Sequence, residues 1–225
     1  MKKKWMVFVC LLCLSAVSWG CSGGGSGAST ETETQAVDAA KNGDAKILTV
    51  YFTMPETDGT DAVSGASRIV ENGDVVGNTQ FVAQQIQDTA GGDLFQIETT
   101  KTYPGDHDAL VDEASQEQDE DARPELSSEI DNFDQYDVVF VGYPNWWGDM
   151  PQAMYTFFDT YDFSGKTIIP FVTHGGSGFS DTISSIETLE PDAEVVSSGL
   201  SIARDDVADA GGNIKTWVED LGFAK

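Results

Sequence analysis

Apolar residues recur along this chain at two periods. Lys46-Ile-Leu-Thr-Val-Tyr-Phe-Thr53, the stretch from Tyr136 to Tyr143 and Lys166-Thr-Ile-Ile-Pro-Phe-Val-Thr173 are short, mostly apolar and rich in β-branched residues. Such runs predict strands buried on both faces. Asp93-Leu-Phe-Gln-Ile-Glu-Thr99 alternates, which predicts a strand nearer an edge, and a short strand is expected over 194–196. Between these runs the spacing turns helical. Phe81, Val82 and Ile86 share one face over 78–86, Phe179, Ile183, Ile186 and Leu189 line another helix, and Ile214, Trp217, Val218 and Leu221 form the inner side of the last. An apolar helix over 151–160 opens at Pro151, a residue suited to the first helical position. The acidic stretch 108–120 reads as a solvated surface helix capped by Asp106 or Asp108. Five strands alternating with five helices predict an α/β fold, a doubly wound five-stranded parallel sheet with right-handed crossovers and strand order 2-1-3-4-5.

One segment breaks the alternation. Arg68-Ile-Val-Glu-Asn-Gly-Asp-Val-Val76 is apolar, Asn-Gly, apolar, the strongest short-range signal for a hairpin. It predicts a β-hairpin insertion after strand 1.

The N-terminal residues follow neither period. Lys2, Lys3 and Lys4 precede an apolar run, Trp5 to Val17, that is too short to span a bilayer and fits an export signal over 1–20. The junction Gly20-Cys21 ahead of a Gly/Ser tract resembles a bacterial lipoprotein cleavage site, which implies lipidation at Cys21; ordinary signal cleavage to a freely secreted protein is the alternative. Residues 21–45 then hold almost no large apolar side chains and read as a flexible tether reaching roughly 25–29 Å. This leaves 46–225 as one domain. Its sequence contains no cysteine, because Cys10 and Cys13 belong to the signal, so disulfides, thiolate metal sites and thiol nucleophiles are excluded there. A formal net charge of −26 argues against nucleic acid as a partner and restricts contact with membranes to a lipid anchor.

In open α/β sheets ligands bind beyond the carboxyl ends of the strands, so the loops there decide the chemistry. No Gly-x-Gly-x-x-Gly follows the first strand, no Gly-Lys-Ser/Thr is present, and the third strand does not close on the Asp of a phosphoacceptor. What is present is Thr53, then Gly77-Asn78-Thr79 opening a helix; Pro144-Asn145-Trp146-Trp147-Gly148 after the third strand; and Thr173-His174-Gly175-Gly176-Ser177-Gly178 after the fourth. A helix start offers N–H groups and partial positive charge, to which hydroxyls and the Asn78 amide add, so an anion such as a phosphate can be held there without Lys or Arg nearby. Gly77 lets backbone approach it, the fourth-strand glycines let a loop lie along a ring edge, and one of the two indoles offers a stacking surface. His107, between Asp106 and Asp108, reads as a neighbour of a helix cap rather than a metal ligand.

Together these three loops resemble the flavodoxin-like family of flavin mononucleotide (FMN) proteins, whose phosphate loop is Ser/Thr-x-Thr-Gly-Asn-Thr and whose shorter members carry Pro-x-Trp-Trp-Gly. The resemblance implies FMN as cofactor, with the residues just named around it. It also exposes a departure: Met54 to Val76 stands where members have only a few residues, so the place of Thr53 depends on how the hairpin folds. The resulting expectation is an exported, membrane-tethered electron carrier with a redox partner protein or small acceptor. An FMN-dependent reductase of quinones using NAD(P)H and a non-redox surface lipoprotein are the alternatives.

Overall fold

The computed structural model describes residues 45–57 and 67–223. The expected export signal, Cys21 and all of the expected tether but Ala45 lie outside them. Eight strands and five α-helices follow in the order β1 (Ile47–Phe52), β2 (Arg68–Glu71), β3 (Asp74–Gly77), α1 (Asn78–Ala90), β4 (Asp93–Ile97), α2 (His107–Asp119), β5 (Val138–Pro144), α3 (Gln152–Thr160), β6 (Thr167–His174), α4 (Thr182–Leu189), β7 (Glu194–Val195), β8 (Leu200–Ala203) and α5 (Gly211–Asp220). The main sheet runs β4-β1-β5-β6, with β7 and β8 both parallel to β6. Leaving out the hairpin strands, this is the expected order 2-1-3-4-5, with the fifth strand in two pieces.

The sheet is covered on both faces, which is why its central strands are apolar at every position. Val139, Val141 and Tyr143 of β5 point into one core with Ala153, Met154 and Phe157 of α3, Leu110 of α2 and Ile186 of α4. Val138 and Phe140 point the other way, against Phe81, Val82 and Ile86 of α1 and Ile214 and Val218 of α5. The acidic helix α2 is not wholly solvated as expected: Leu110, Ala114 and Glu117 are buried. Glu117 takes hydrogen bonds from Lys101 (2.6 Å) and the Tyr103 hydroxyl (2.9 Å). Asp106 caps the helix by accepting the Ala109 N–H, and Pro151 stands one residue before α3 rather than inside it.

Splitting of the fifth strand was not expected, and its cause lies in β6. Sides alternate along a strand. Ile168 accepts the Val196 N–H (2.9 Å), so Pro170, two residues on, also faces the fifth strand. Proline has no N–H to give there. Pairing with β7 stops at Ile168↔Val195 and resumes with β8 only at Phe171↔Leu200. Gly199 crosses the gap, where a Cβ would lie 2.4 Å from the Pro170 carbonyl oxygen.

The hairpin forms as its sequence predicts. β2 and β3 pair antiparallel around Asn72 (φ 52) and Gly73 (φ 93), the two positive values of a type I′ turn. Ile69 and Val76 pack on the α1 side of the core, while Val70 and Val75 on the other face stay exposed. β3 runs straight into α1, with Gly77 ending the strand and capping the helix.

Close packing leaves one position in β5 with no room at all. A Cβ on Gly142 would lie 2.0 Å from Cζ of Phe171, a fully buried ring on the neighbouring strand. Gly142→Ala is therefore expected to lower the free energy of unfolding by about 1–3 kcal/mol, read as a lower urea midpoint at unchanged slope.

Candidate functional site

The carboxyl ends of β1, β5 and β6 lie side by side, and the loops leaving them meet. Thr53 follows β1 and is buried, and Gly77 packs directly on it: a Cβ at position 77 would stand 2.1 Å from the Thr53 hydroxyl oxygen. The insertion thus leaves and returns at one point, and Thr53 keeps its place beside the start of α1. Two backbone donors there are already used. The Asn78 N–H donates to the Ser67 carbonyl (2.8 Å), and the Gly77 N–H to Oε1 of Gln80 (3.3 Å). Asn78 and Thr79 are both buried. The Thr79 hydroxyl is 2.8 Å from that of Thr173, at the end of β6. One hydroxyl hydrogen bridges this pair, which leaves the second available to a third group.

Beyond β5, Asn145 organises the next loop. Its N–H donates to the Thr173 carbonyl (2.8 Å), prolonging the sheet by one residue. Its side-chain oxygen accepts the Gly148 N–H (3.0 Å), and its amide nitrogen donates to the Gly178 carbonyl (3.0 Å) and the Ser180 hydroxyl (3.1 Å). Trp146 and Asp149 exchange backbone hydrogen bonds of 2.9 and 3.0 Å around Trp147 (φ 55) and Gly148 (φ 82). Positive φ suits Gly148 but strains Trp147, as residues at functional sites often are. The two indoles do different things. Trp146 is half-buried and edge-on to Phe52 (5.5 Å) and Tyr103 (5.9 Å), a wall braced against the core. Trp147 is 59% exposed and held by its indole N–H, which donates to the Val111 carbonyl of α2 (3.1 Å).

The third loop turns on Gly176 (φ 135) and Gly178 (φ 61). The Gly176 N–H donates to Nδ1 of His174 (2.9 Å), so Nδ1 is an acceptor and the neutral ring carries its proton on Nε2. Burial holds the His174 pKa below its ordinary value, against a smaller opposing pull from Asp206. Ser177 stands 3.4 Å from the Asn145 oxygen and supports that residue.

These loops enclose a groove of about 190 Å³, walled by Thr53, Thr79, Pro144, Asn145, Trp146, Thr173, His174 and Gly175. A second hollow of about 170 Å³ shares Glu56, Val111, Asn145 and Trp146 with it and is walled further by Leu110, Ala114 and Trp147. The two together reach the lower end of the usual size of a small-ligand site, roughly 300–1,000 Å³. Of the residues expected at the site, Gly77 and Asn78 lie behind its wall, and Gly148, Gly176 and Ser177 shape its loops. A wider groove of about 580 Å³ runs along α2, but Lys101, Asp112, Glu113, Glu117, Glu120 and Arg123 wall it and no aromatic ring is among its lining residues.

The sequence reading missed Glu56 and Arg204 in the groove wall and gave His107, also there, a different role. Glu56, in the insertion, is buried, and both its carboxylate oxygens are 2.9 Å from Nδ1 of His107 at the start of α2. His107 is thus the hydrogen-bond partner of Glu56 in the groove wall. Among the described residues no cluster of His, Cys, Asp or Glu fit to hold a metal occurs. Arg204, just after β8, also lines the groove, and it corrects the expectation that no Lys or Arg stands near the phosphate end.

A protein-family model described as flavodoxin matches residues 68–221. Among solved structures, a Bacteroides eggerthii protein assigned as a flavoprotein is 26% identical with a TM-score of 0.54, the match covering 80% of this chain and 99% of that one. A Bacteroides uniformis protein with the same assignment is 24% identical (TM-score 0.53, covering 78% and 98%). A Lactobacillus acidophilus flavoprotein solved in complex with FMN is 17% identical (TM-score 0.52, covering 75% and 99%). No curated protein sequence matches the chain.

The state of His174 has a consequence for acid stability. Its folded pKa is lowered, so the unfolded chain takes up the proton first; the stabilisation is complete above the ordinary pKa and is lost as pH falls below it. The stability advantage of the wild type over His174→Gln is expected to shrink as pH is lowered from about 7.5 to about 5, measured by denaturant unfolding at each pH. Glu190, whose pKa burial and the nearby Asp162 and Asp159 raise to about 7, acts in the opposite sense but equally in both proteins, so it cancels from the difference.

Proposed function

The chain belongs to the flavodoxin family, and from that premise we propose that its groove holds FMN and that the protein carries electrons on the outer side of a membrane. One observation carries the reading: three strand-end loops converge on a groove with hydroxyls at one end and indoles at the other. At the first end Thr53, Thr79 and Thr173 cluster beside the start of α1, where the helix presents partial positive charge. A Cβ on Gly77 would collide with Thr53 and disturb this cradle. At the other end Trp146, Trp147, Leu110 and Val111 offer flat apolar surface. This donor set and shape fit a phosphate joined to a planar ring.

Bound FMN supplies the redox chemistry; the chain's residues bind, orient and shield it. The three hydroxyls would hold the phosphate, the indoles and Val111 would flank the ring, and Gly175 lines the groove beside them. Glu56 reaches both hollows and is held in place by its hydrogen bond with His107. The exposed Trp147, Val70 and Val75 suit transient contact with a partner protein, which supports a carrier over an enzyme with a second substrate pocket. Membrane attachment rests on the N-terminal sequence, with lipid on Cys21; no helix among the described residues is long and apolar enough to cross a bilayer.

The purified domain is expected to quench FMN fluorescence on titration. Trp147→Ala should weaken FMN and riboflavin alike, by about 0.5–1.5 kcal/mol, because it removes ring contact and leaves the phosphate end intact. Failure to bind either flavin would leave a non-redox surface protein, and steady NAD(P)H-dependent turnover of quinones would make the protein a reductase.

Cys21→Ser is expected to move the protein from the membrane to the soluble fraction, or to leave it unprocessed. Processed protein that still sediments with membranes would refute lipid attachment.

A further inference from the structure

We infer that Arg204 is the residue that fixes the cofactor phosphate in this chain, an inference that rests on the FMN reading above. A helix start in such a loop ordinarily offers its free amides to a phosphate. Here two of them are already in use: the Asn78 N–H serves the Ser67 carbonyl of the insertion, and the Gly77 N–H serves Gln80 of α1 itself. The hydroxyl pair of Thr79 and Thr173 has one hydrogen to spare. The donors that remain at the phosphate end, the Thr53 hydroxyl among them, are all neutral, on a chain with 38 acidic and 12 basic residues.

Arg204 supplies what is missing, and the sheet explains how it comes to be there. β8 pairs with the last residues of β6, ending at His174↔Ala203. The next residue on one strand is Gly175 and on the other Arg204, so the arginine emerges beside the loop that closes the groove. It lines the same groove as Thr53, Thr79 and Thr173. Its Nη1 stands over Gly175, 3.7 Å from where a Cβ at that position would be, an ordinary contact distance. Its ion pair with its neighbour Asp205 is long, 3.8 Å, to a carboxylate 80% exposed. Pairs of that kind hold a side chain weakly, so the guanidinium is free to turn to a better anion. A planar guanidinium matches phosphate oxygens two at a time, which a lone amide cannot do.

The test compares wild type, Arg204→Gln and Arg204→Lys, each titrated with FMN and with riboflavin at low and high salt. Arg204→Gln is expected to raise the Kd for FMN about 10- to 100-fold and leave riboflavin unchanged, with Arg204→Lys in between. Added salt should weaken FMN binding in the wild type more than in Arg204→Gln. An unchanged Kd for FMN in Arg204→Gln overturns the inference. So does equal weakening of both flavins, which would mean that Arg204 only props the Gly175 loop. A wild type that binds neither flavin would instead defeat the FMN reading itself.

Discussion

Position 77 has space for a hydrogen and nothing larger, and the rest of the site depends on it. The Thr53 hydroxyl fills the volume a side chain would need, so the end of β1 and the start of α1 are locked together although Met54 to Val76 separates them in sequence. With that contact made, α1 begins above the strand ends, Thr79 meets Thr173 across the sheet, and the hydroxyl cluster exists. Without it the insertion would set where α1 starts, and the groove would have no floor at its polar end.

A second joint stands at the other end. Asn145 is bonded to both loops that border it, its side-chain oxygen to Gly148 and its amide to Gly178 and Ser180. An asparagine does this because its side chain carries acceptor and donor at once; Asp, which only accepts, would lose the bond to the Gly178 carbonyl, and Leu would hold neither loop. The strain at Trp147 is sustained by the same arrangement, with the turn closed by Trp146 and Asp149 and the indole tied to α2.

The sheet order, both helical layers and the hairpin were legible in the sequence because each rests on a local pattern. Val138 to Val141 is apolar at every position since both faces are covered, and Asn72-Gly73 announces its turn by φ preference alone. What was not legible is what depends on pairing at a distance. Leu200-Ser-Ile-Ala203 is too short to stand out, and it is a strand only because β6 has open positions beyond Pro170. Arg204 reaches the groove through that pairing, which nothing in its own neighbourhood signals. The union of Glu56 with His107 spans the insertion and the start of α2, so neither residue carried a mark of its partner. The three glycine- and tryptophan-bearing loops could be read, but the division of labour between the two indoles needed the ring contacts with Phe52 and Tyr103.

The touching ends of the insertion bear on how such a chain tolerates change. Closing a loop costs conformational entropy that grows only with the logarithm of its length, about 0.6 kcal/mol for each doubling. Once Thr53 and Gly77 have met, almost all of that cost is already incurred, and further residues between them add little to it. So long as Glu56, Ile69 and Val76 keep their places, the rest of the segment can therefore lengthen, shorten or change its exposed face across generations at little cost in chain closure, which leaves it open to acquiring a new partner.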